Sequence, residues 1–313
     1  MNYRSVTNLN SQLLQWTRRL PRDLELIVGI PRSGLLAANL LALHLNLPLT
    51  DLDGFVAGRV MMVGARGPDL GSRYLEQPRK VLVLDDSLLD GTQMVRARKA
   101  LENQRSFHQL LFAAVYLQPG KESLVDYFCE GLPRPRVFEW HLMHHPNLRH
   151  WCVDIDGVLC DDPTEAENDD AENYRRFLQS AEPRVVPSKE IGWLVTCRLE
   201  KYRRETEEWL RRHGIRYRQL KMMDLPDMMT RRAVANYAGY KAGIYLESGA
   251  QLFIESSLQQ AREISRGSGK SVFCFDTREM IHPGALTQAM HQPKTVLKNL
   301  FKPFGLRPKR LPS

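Results

Sequence analysis

Two groups of acids sit at the ends of apolar runs, with spacings that suit phosphate chemistry. In the first, Val81-Leu82-Val83-Leu84 leads into Asp85-Asp86 and then Leu89-Asp90-Gly91-Thr92; in the second, Trp151-Cys152-Val153 leads into Asp154-Ile155-Asp156-Gly157. Each run reads as a buried parallel strand, and open α/β sheets bind ligands at the carboxyl ends of such strands. Asp85 and Asp86 are placed to accept hydrogen bonds from the two hydroxyls of a ribose. The turn through Asp90, Gly91 and Thr92 at the start of a helix offers backbone amides and the helix dipole to a phosphate. Upstream, Val28-Gly29-Ile30-Pro31-Arg32-Ser33-Gly34 forms a second anion cradle, in which Arg32 suits a pyrophosphate through paired contacts.

The elements that must position these groups alternate along the chain. Strands are expected near Leu24–Ile30, Leu47–Leu52, Lys80–Asp85, Gln109–Leu117 and Arg136–Trp140, with helices at Ser33–Leu45 and Gly91–Gln104. Such alternation implies a parallel sheet covered on both faces. The glycine- and arginine-rich segment Phe55–Pro78, with Arg59, Arg66 and Arg73, reads as a mobile active-site loop. Asp51 and Asp53 fall at the same sheet edge, as loop caps or, for Asp53, as a base for an incoming hydroxyl. A second alternation begins at His150, with strands near Trp151–Ile155, Ile191–Val195, Ile215–Leu220, Leu252–Glu255 and Val272–Phe275 and a clear helix at Glu200–His213. The expected domains are 1–147 and 148–292, followed by a basic tail, 293–313.

At 313 residues, with 43% hydrophobic and 26% charged content, the chain has the composition of a soluble two-domain protein. No apolar run reaches membrane-spanning length and the amino terminus lacks a signal-peptide core, so the cytoplasm is the expected compartment. The five cysteines are widely spaced and read as reduced core thiols. His141, His144, His145 and His150 read as a polar interdomain segment in preference to a metal cluster. Of the formal charge of +8, much resides in residues 294–313, which carry six Lys or Arg and no Asp or Glu. A local basic end does not suit a nucleic-acid-coating protein. Its apolar spacing fits either an anchor on an anionic membrane surface or a partner glycosyltransferase, which would place the protein peripherally at the inner face of the membrane, or a terminus packed on the second domain.

Over roughly residues 20–145 the chain resembles the type I phosphoribosyltransferases, whose signature is an apolar strand, two acids, a short spacer and a phosphate loop, all after an earlier pyrophosphate loop. Asp90 stands here where threonine is usual, and Gln93 where a second hydroxyl is expected. The resemblance implies 5-phosphoribosyl diphosphate (PRPP) with magnesium as donor, bound by Arg32, Ser33, Gly34, Asp85, Asp86, Asp90, Gly91 and Thr92.

Asp154-x-Asp156-Gly157-x-Leu159 resembles the first motif of the haloacid dehalogenase (HAD) superfamily phosphatases. In that chemistry the first aspartate attacks phosphorus and the second protonates the leaving oxygen and later activates water. The resemblance extends to Thr196 as the phosphoryl-binding hydroxyl, to Lys241 (or Lys221) as the neutralising lysine, and to Glu255, which joins Asp154 and Asp156 around Mg2+ where aspartate is usual. The interval between Asp156 and Thr196 leaves room only for a small cap. The expected fold class is α/β in two domains, each a parallel sheet flanked by helices: a type I phosphoribosyltransferase fold, then an HAD-like Rossmannoid fold. As a whole the chain resembles two-domain proteins of bacterial surface polysaccharide assembly, which implies transfer of 5-phosphoribosyl to a glycan or lipid-linked glycan acceptor and then removal of the 5-phosphate. Two alternatives stand beside it: a nucleobase phosphoribosyltransferase with a nucleotide phosphatase, Phe138 and Trp140 stacking the base, and a PRPP-sensing binding protein.

Overall fold

The strand Lys80–Leu88, central to the first unit, explains that unit's architecture. Its residues alternate between two cores: Leu82 and Leu84 pack on one face of the sheet, and Val81 and Val83 on the other. The computed structural model describes residues 1–64, 74–168, 170–234 and 236–284. The chain divides into two compact units, with the division between Trp140 and His141, upstream of the expected boundary.

In order, the first unit holds β1 (Asn2–Arg4), α1 (Val6–Trp16), β2 (Leu26–Gly29), α2 (Ser33–Leu45), β3 (Leu49–Asp51), α3 (Leu52–Val56), β4 (Lys80–Leu88), α4 (Thr92–Ala100), β5 (Gln109–Leu117), β6 (Tyr127–Gly131) and β7 (Arg136–Phe138). Five strands form one parallel sheet in the order β3-β2-β4-β5-β6. The chain leaves β2 toward β3 and returns to β4 on the other side, so the β2/β4 crevice is the topological switch point where such sheets bind ligands. β7 was expected in this sheet; it pairs instead with β1 in a separate parallel pair. In α2 the buried positions Gly34, Ala37, Ala38, Leu41 and Ala42 follow helical spacing, and Asn46 ends the helix in the left-handed conformation.

The second unit contains β8 (Trp151–Val153), α5 (Glu172–Ser180), β9 (Ile191–Leu199), α6 (Arg203–Arg212), β10 (Tyr217–Met223), α7 (Met228–Val234), α8 (Tyr237–Glu247), β11 (Leu252–Glu255), α9 (Leu258–Ser268), β12 (Val272–Cys274) and β13 (Glu279–Ile281). The sheet order is β10-β9-β8-β11-β12-β13, parallel throughout except for β13. The three central strands β9, β8 and β11 thus bring their carboxyl ends side by side. α6 is amphipathic, burying Thr206, Trp209 and Leu210, and the Trp209 indole donates to the Ala181 carbonyl at 2.7 Å. Between Asp156 and Thr196 the described helix is α5 alone. No helix among the described residues is long and apolar enough to cross a membrane.

All five cysteines are unpaired, and Cys152, Cys160 and Cys274 are buried. The histidine-rich segment forms two 3-10 turns, Glu139–His144 and Pro146–His150. There, His145 stacks on Trp151 and His144 pairs with Ser188.

Candidate functional site

In the first unit the two expected cradles flank the switch point. Gly34, at the start of α2, lies so close to β4 that a Cβ on it would come within 2.8 Å of the Leu84 carbonyl oxygen and 3.1 Å of the Asp85 carboxylate. Only glycine lets the Arg32-Ser33-Gly34 turn approach the acids this closely. Ser33 Oγ donates to Asp86 Oδ1 at 2.7 Å, joining the two loops directly.

β4 runs three residues beyond its expected end, because Ser87 and Leu88 continue the ladder with Tyr116 and Leu117 of β5. Asp85 and Asp86 therefore lie inside a strand instead of ending it, with both carboxylates beside the Ser33-Gly34 turn. Asp86 faces the α2 side, where Trp140 Nε1 donates to its Oδ2 at 2.8 Å. Asp85 is pushed up to about 8, first by burial and then by the charge of Asp86. Phe138 and Trp140 stack on each other at 4.9 Å, and both stack on Tyr116, in the core and beside Asp86. They are thus packed on one another and on Tyr116.

The turn expected to hold a phosphate is built around Gly91, whose φ of +92° is open to glycine and which precedes α4. Asp90 is different. Its Oδ1 accepts the Thr92 backbone N–H at 2.9 Å, so a carboxylate of the protein already occupies a helix-terminal amide expected to hold a phosphate. That hydrogen bond is the main reason Asp90 is held below the usual carboxylate range. Among the remaining residues, Arg32 is exposed; Asp51 caps α3 by accepting from Gly54 N, and Asp53 is exposed in the first turn of that helix. The Phe55–Pro78 segment is tied at both ends: Thr50 Oγ1 donates to the Arg59 carbonyl, and the buried Tyr74 donates to Glu25. Arg66, Arg73 and the basic tail lie outside the described residues.

The second unit assembles a buried ionic cluster at the carboxyl ends of β8, β9 and β11. Lys241, on α8, donates to Asp154 Oδ2 at 2.6 Å, Glu255 Oε2 at 2.7 Å and Gln260 Oε1 at 3.1 Å. Lys241, and not Lys221, is therefore the lysine brought to Asp154. Burial pushes Asp154 above the usual carboxylate range, against the pull of Lys241. Lys241 itself is raised by the two carboxylates, against its own burial. Asp156 is gripped by Arg198, whose Nε and Nη2 reach both carboxylate oxygens at 2.6–3.1 Å. Arg198 is almost wholly buried in β9 and was not singled out in the sequence, although it stands two residues after Thr196 and so on the same face of the strand. Thr196 is fully buried, with its Oγ1 accepting from Arg198 N at 3.2 Å.

Among the described residues, no three Asp, Glu, His or Cys side chains form a group able to hold a metal ion. The magnesium set expected from Asp154, Asp156 and Glu255 is not assembled, because Lys241 stands between Asp154 and Glu255 while Arg198 takes both oxygens of Asp156. Two internal cations neutralise the carboxylates that a divalent ion would otherwise bridge. A cleft of about 250 Å³ opens over this cluster, lined by Asp154, Asp156 and Lys241 and, farther out, by Asp162, Arg231 and Tyr237.

No protein-family model matches the chain, and no curated protein matches it. Among solved structures it is similar to the Helicobacter pylori xanthine-guanine-hypoxanthine phosphoribosyltransferase, with 17% identity, 45% of this chain and 91% of that chain covered, and a TM-score of 0.33. It is similar also to a purine phosphoribosyltransferase from Pyrococcus horikoshii (18% identity, 44% and 92% covered, TM-score 0.32). A third is the Leishmania donovani UMP synthase (14% identity, 44% and 28% covered, TM-score 0.29). Likenesses of this size name neither an activity nor a substrate for this chain.

Proposed function

We propose that the chain is a bifunctional enzyme, whose first unit transfers 5-phosphoribosyl from PRPP to a hydroxyl of a glycan acceptor and whose second unit removes the 5-phosphate. The strongest support is that both units carry an acid-bearing central strand to the carboxyl edge of a parallel sheet, beside an anion cradle in the first and beside a buried lysine in the second. In the first reaction the bond from the anomeric carbon to diphosphate breaks, the bond to the acceptor oxygen forms, and the acceptor's proton leaves. Magnesium enters as part of the donor complex. Arg32 and the Ser33-Gly34 turn hold the diphosphate, Asp86 orients the ribose, and Asp53, exposed at the same edge, is the group proposed to take the proton.

In the second reaction Asp154 attacks phosphorus and releases the sugar hydroxyl, after which water cleaves the acyl phosphate. Lys241 holds Asp154 in place and balances its charge. Asp156, fixed by Arg198, handles the leaving-group and water protons. Removing the 5-phosphate takes away the handle by which the first unit would rebind its product, so the coupled sequence runs one way. The glycan acceptor follows the whole-chain resemblance, and the engagement of Phe138 and Trp140 with Tyr116 and Asp86 favours it over a nucleobase. The test is to incubate Arg32→Ala and Asp86→Asn with PRPP and a sugar-terminated acceptor: transfer should be lost while a synthetic 5-phosphoribosyl glycoside is still dephosphorylated. Loss of both activities in a folded variant would refute the division of labour.

A further inference from the structure

The cleft over Asp154 contains an arginine that the chemistry above does not use. Lys241 is committed to Asp154 and Glu255, and Arg198 to Asp156. Arg231, from α7, also lines the cleft, and among the described residues no carboxylate pairs with it. Its Nη1 donates to the Cys197 carbonyl at 3.2 Å and its Nη2 to Asn168 Oδ1 at a long 3.5 Å. Its Nε–H is buried without a hydrogen-bond partner. A buried guanidinium donor with nothing to bond is costly, and such groups are rare unless a ligand completes them. These carbonyl contacts and the neighbouring Tyr174 hydroxyl fix the plane of the guanidinium without neutralising its charge. A tetrahedral dianion seated against Asp154 would do both.

We propose that Arg231 is the phosphate-gripping side chain of the second unit, donating from its guanidinium edge to the non-bridging oxygens of a phosphomonoester held against Asp154. The inference rests on the phosphatase reading of this unit and extends it to the group that binds the substrate. An arginine suits the role because its planar donors meet two phosphate oxygens at once, whereas a lysine offers a single point charge.

Inorganic phosphate is the probe, read in the full-length protein as competitive inhibition of phosphomonoester hydrolysis, so that phosphate held by the first unit does not enter the measurement. Arg231→Ala should weaken phosphate binding about ten- to hundredfold, what one charge-assisted hydrogen bond is worth, and should raise KM for a phosphomonoester more than it lowers kcat. Arg231→Lys, which keeps charge and length, guards against a folding defect in the alanine variant and should bind phosphate with intermediate strength. Arg211→Ala, on the exposed face of α6, should match wild type. Phosphate binding within twofold of wild type in both folded Arg231 variants would overturn the inference while leaving the phosphatase reading standing. Wild-type protein that binds no phosphate and hydrolyses no phosphomonoester would overturn both.

Discussion

Lys241→Met isolates the electrostatics of the second site. The substitution keeps most of the aliphatic stem and removes the ammonium that bridges Asp154 and Glu255, both of which are nearly or wholly buried. At 2.6 Å and an effective dielectric of ~20, the Lys241–Asp154 attraction is ~6 kcal/mol before desolvation. Desolvation of the lysine offsets much of that, and breaking a buried ion pair by deleting one partner costs about 3–5 kcal/mol. A unit of this size shifts its midpoint by ~2–4 °C per kcal/mol, so the second unit's melting transition should fall by roughly 6–20 °C. Scanning calorimetry reads this directly, and the first unit's transition should not move. Adding Glu255→Gln removes one of the two stranded charges and should recover at least half of the loss. A shift below ~2 °C in Lys241→Met, or a further drop in the double variant, would refute the claim that Lys241 compensates these carboxylates.

In the first unit, Asp90→Thr frees the Thr92 amide and removes an anion from the start of α4, so it should tighten ribose 5-phosphate binding severalfold to about tenfold by calorimetry. Unchanged or weaker binding would show that Asp90 does not compete with the phosphate. His108 is held below the usual imidazole range, by burial and then by Arg79. The unfolded chain therefore takes up a proton that the folded protein refuses, and stability falls as pH drops through ~6.5 toward the lower folded value. His108→Gln keeps an acceptor for the Arg79 N–H, and its unfolding midpoint should drop less than that of wild type between about pH 7.5 and 5.5. Equal drops in the two proteins would exclude His108 as a source of acid sensitivity.

What the sequence made legible follows from which elements carry their own signal. α2 and β5 have their expected limits because continuous apolar runs end at clear turn residues. The acid pairs are legible for the same reason, since each follows an apolar run buried on both faces. α1 was not anticipated, although Leu9, Leu13 and Trp16 have helical spacing, because its cap uses Ser5 with Asn8 in place of the usual glutamate. β6 is short and only half-buried, so no alternation marks it. In the sequence β4 reads as ending at Asp85, just after the apolar run stops, whereas the register with β5 carries it to Leu88. At the sites, the resemblance of the Asp154 motif pointed to Asp154, Lys241 and Glu255. Charge balance could not be read from spacing: Arg198 and Asp156 are 42 residues apart, whereas the turn of Asp90 onto Thr92 is the local two-residue turn that an aspartate before glycine favours.

The most direct test of the coupled account is mass analysis of the products that wild type and Asp154→Asn form from PRPP and a sugar-terminated acceptor. Wild type should give an acceptor carrying one ribosyl group without phosphate. The variant loses the nucleophile of the second unit and leaves the first untouched, so it should accumulate the same adduct heavier by one phosphoryl group. Fully dephosphorylated product at the wild-type rate would contradict the assignment of Asp154, and no ribosylated acceptor from either protein would contradict the transfer itself.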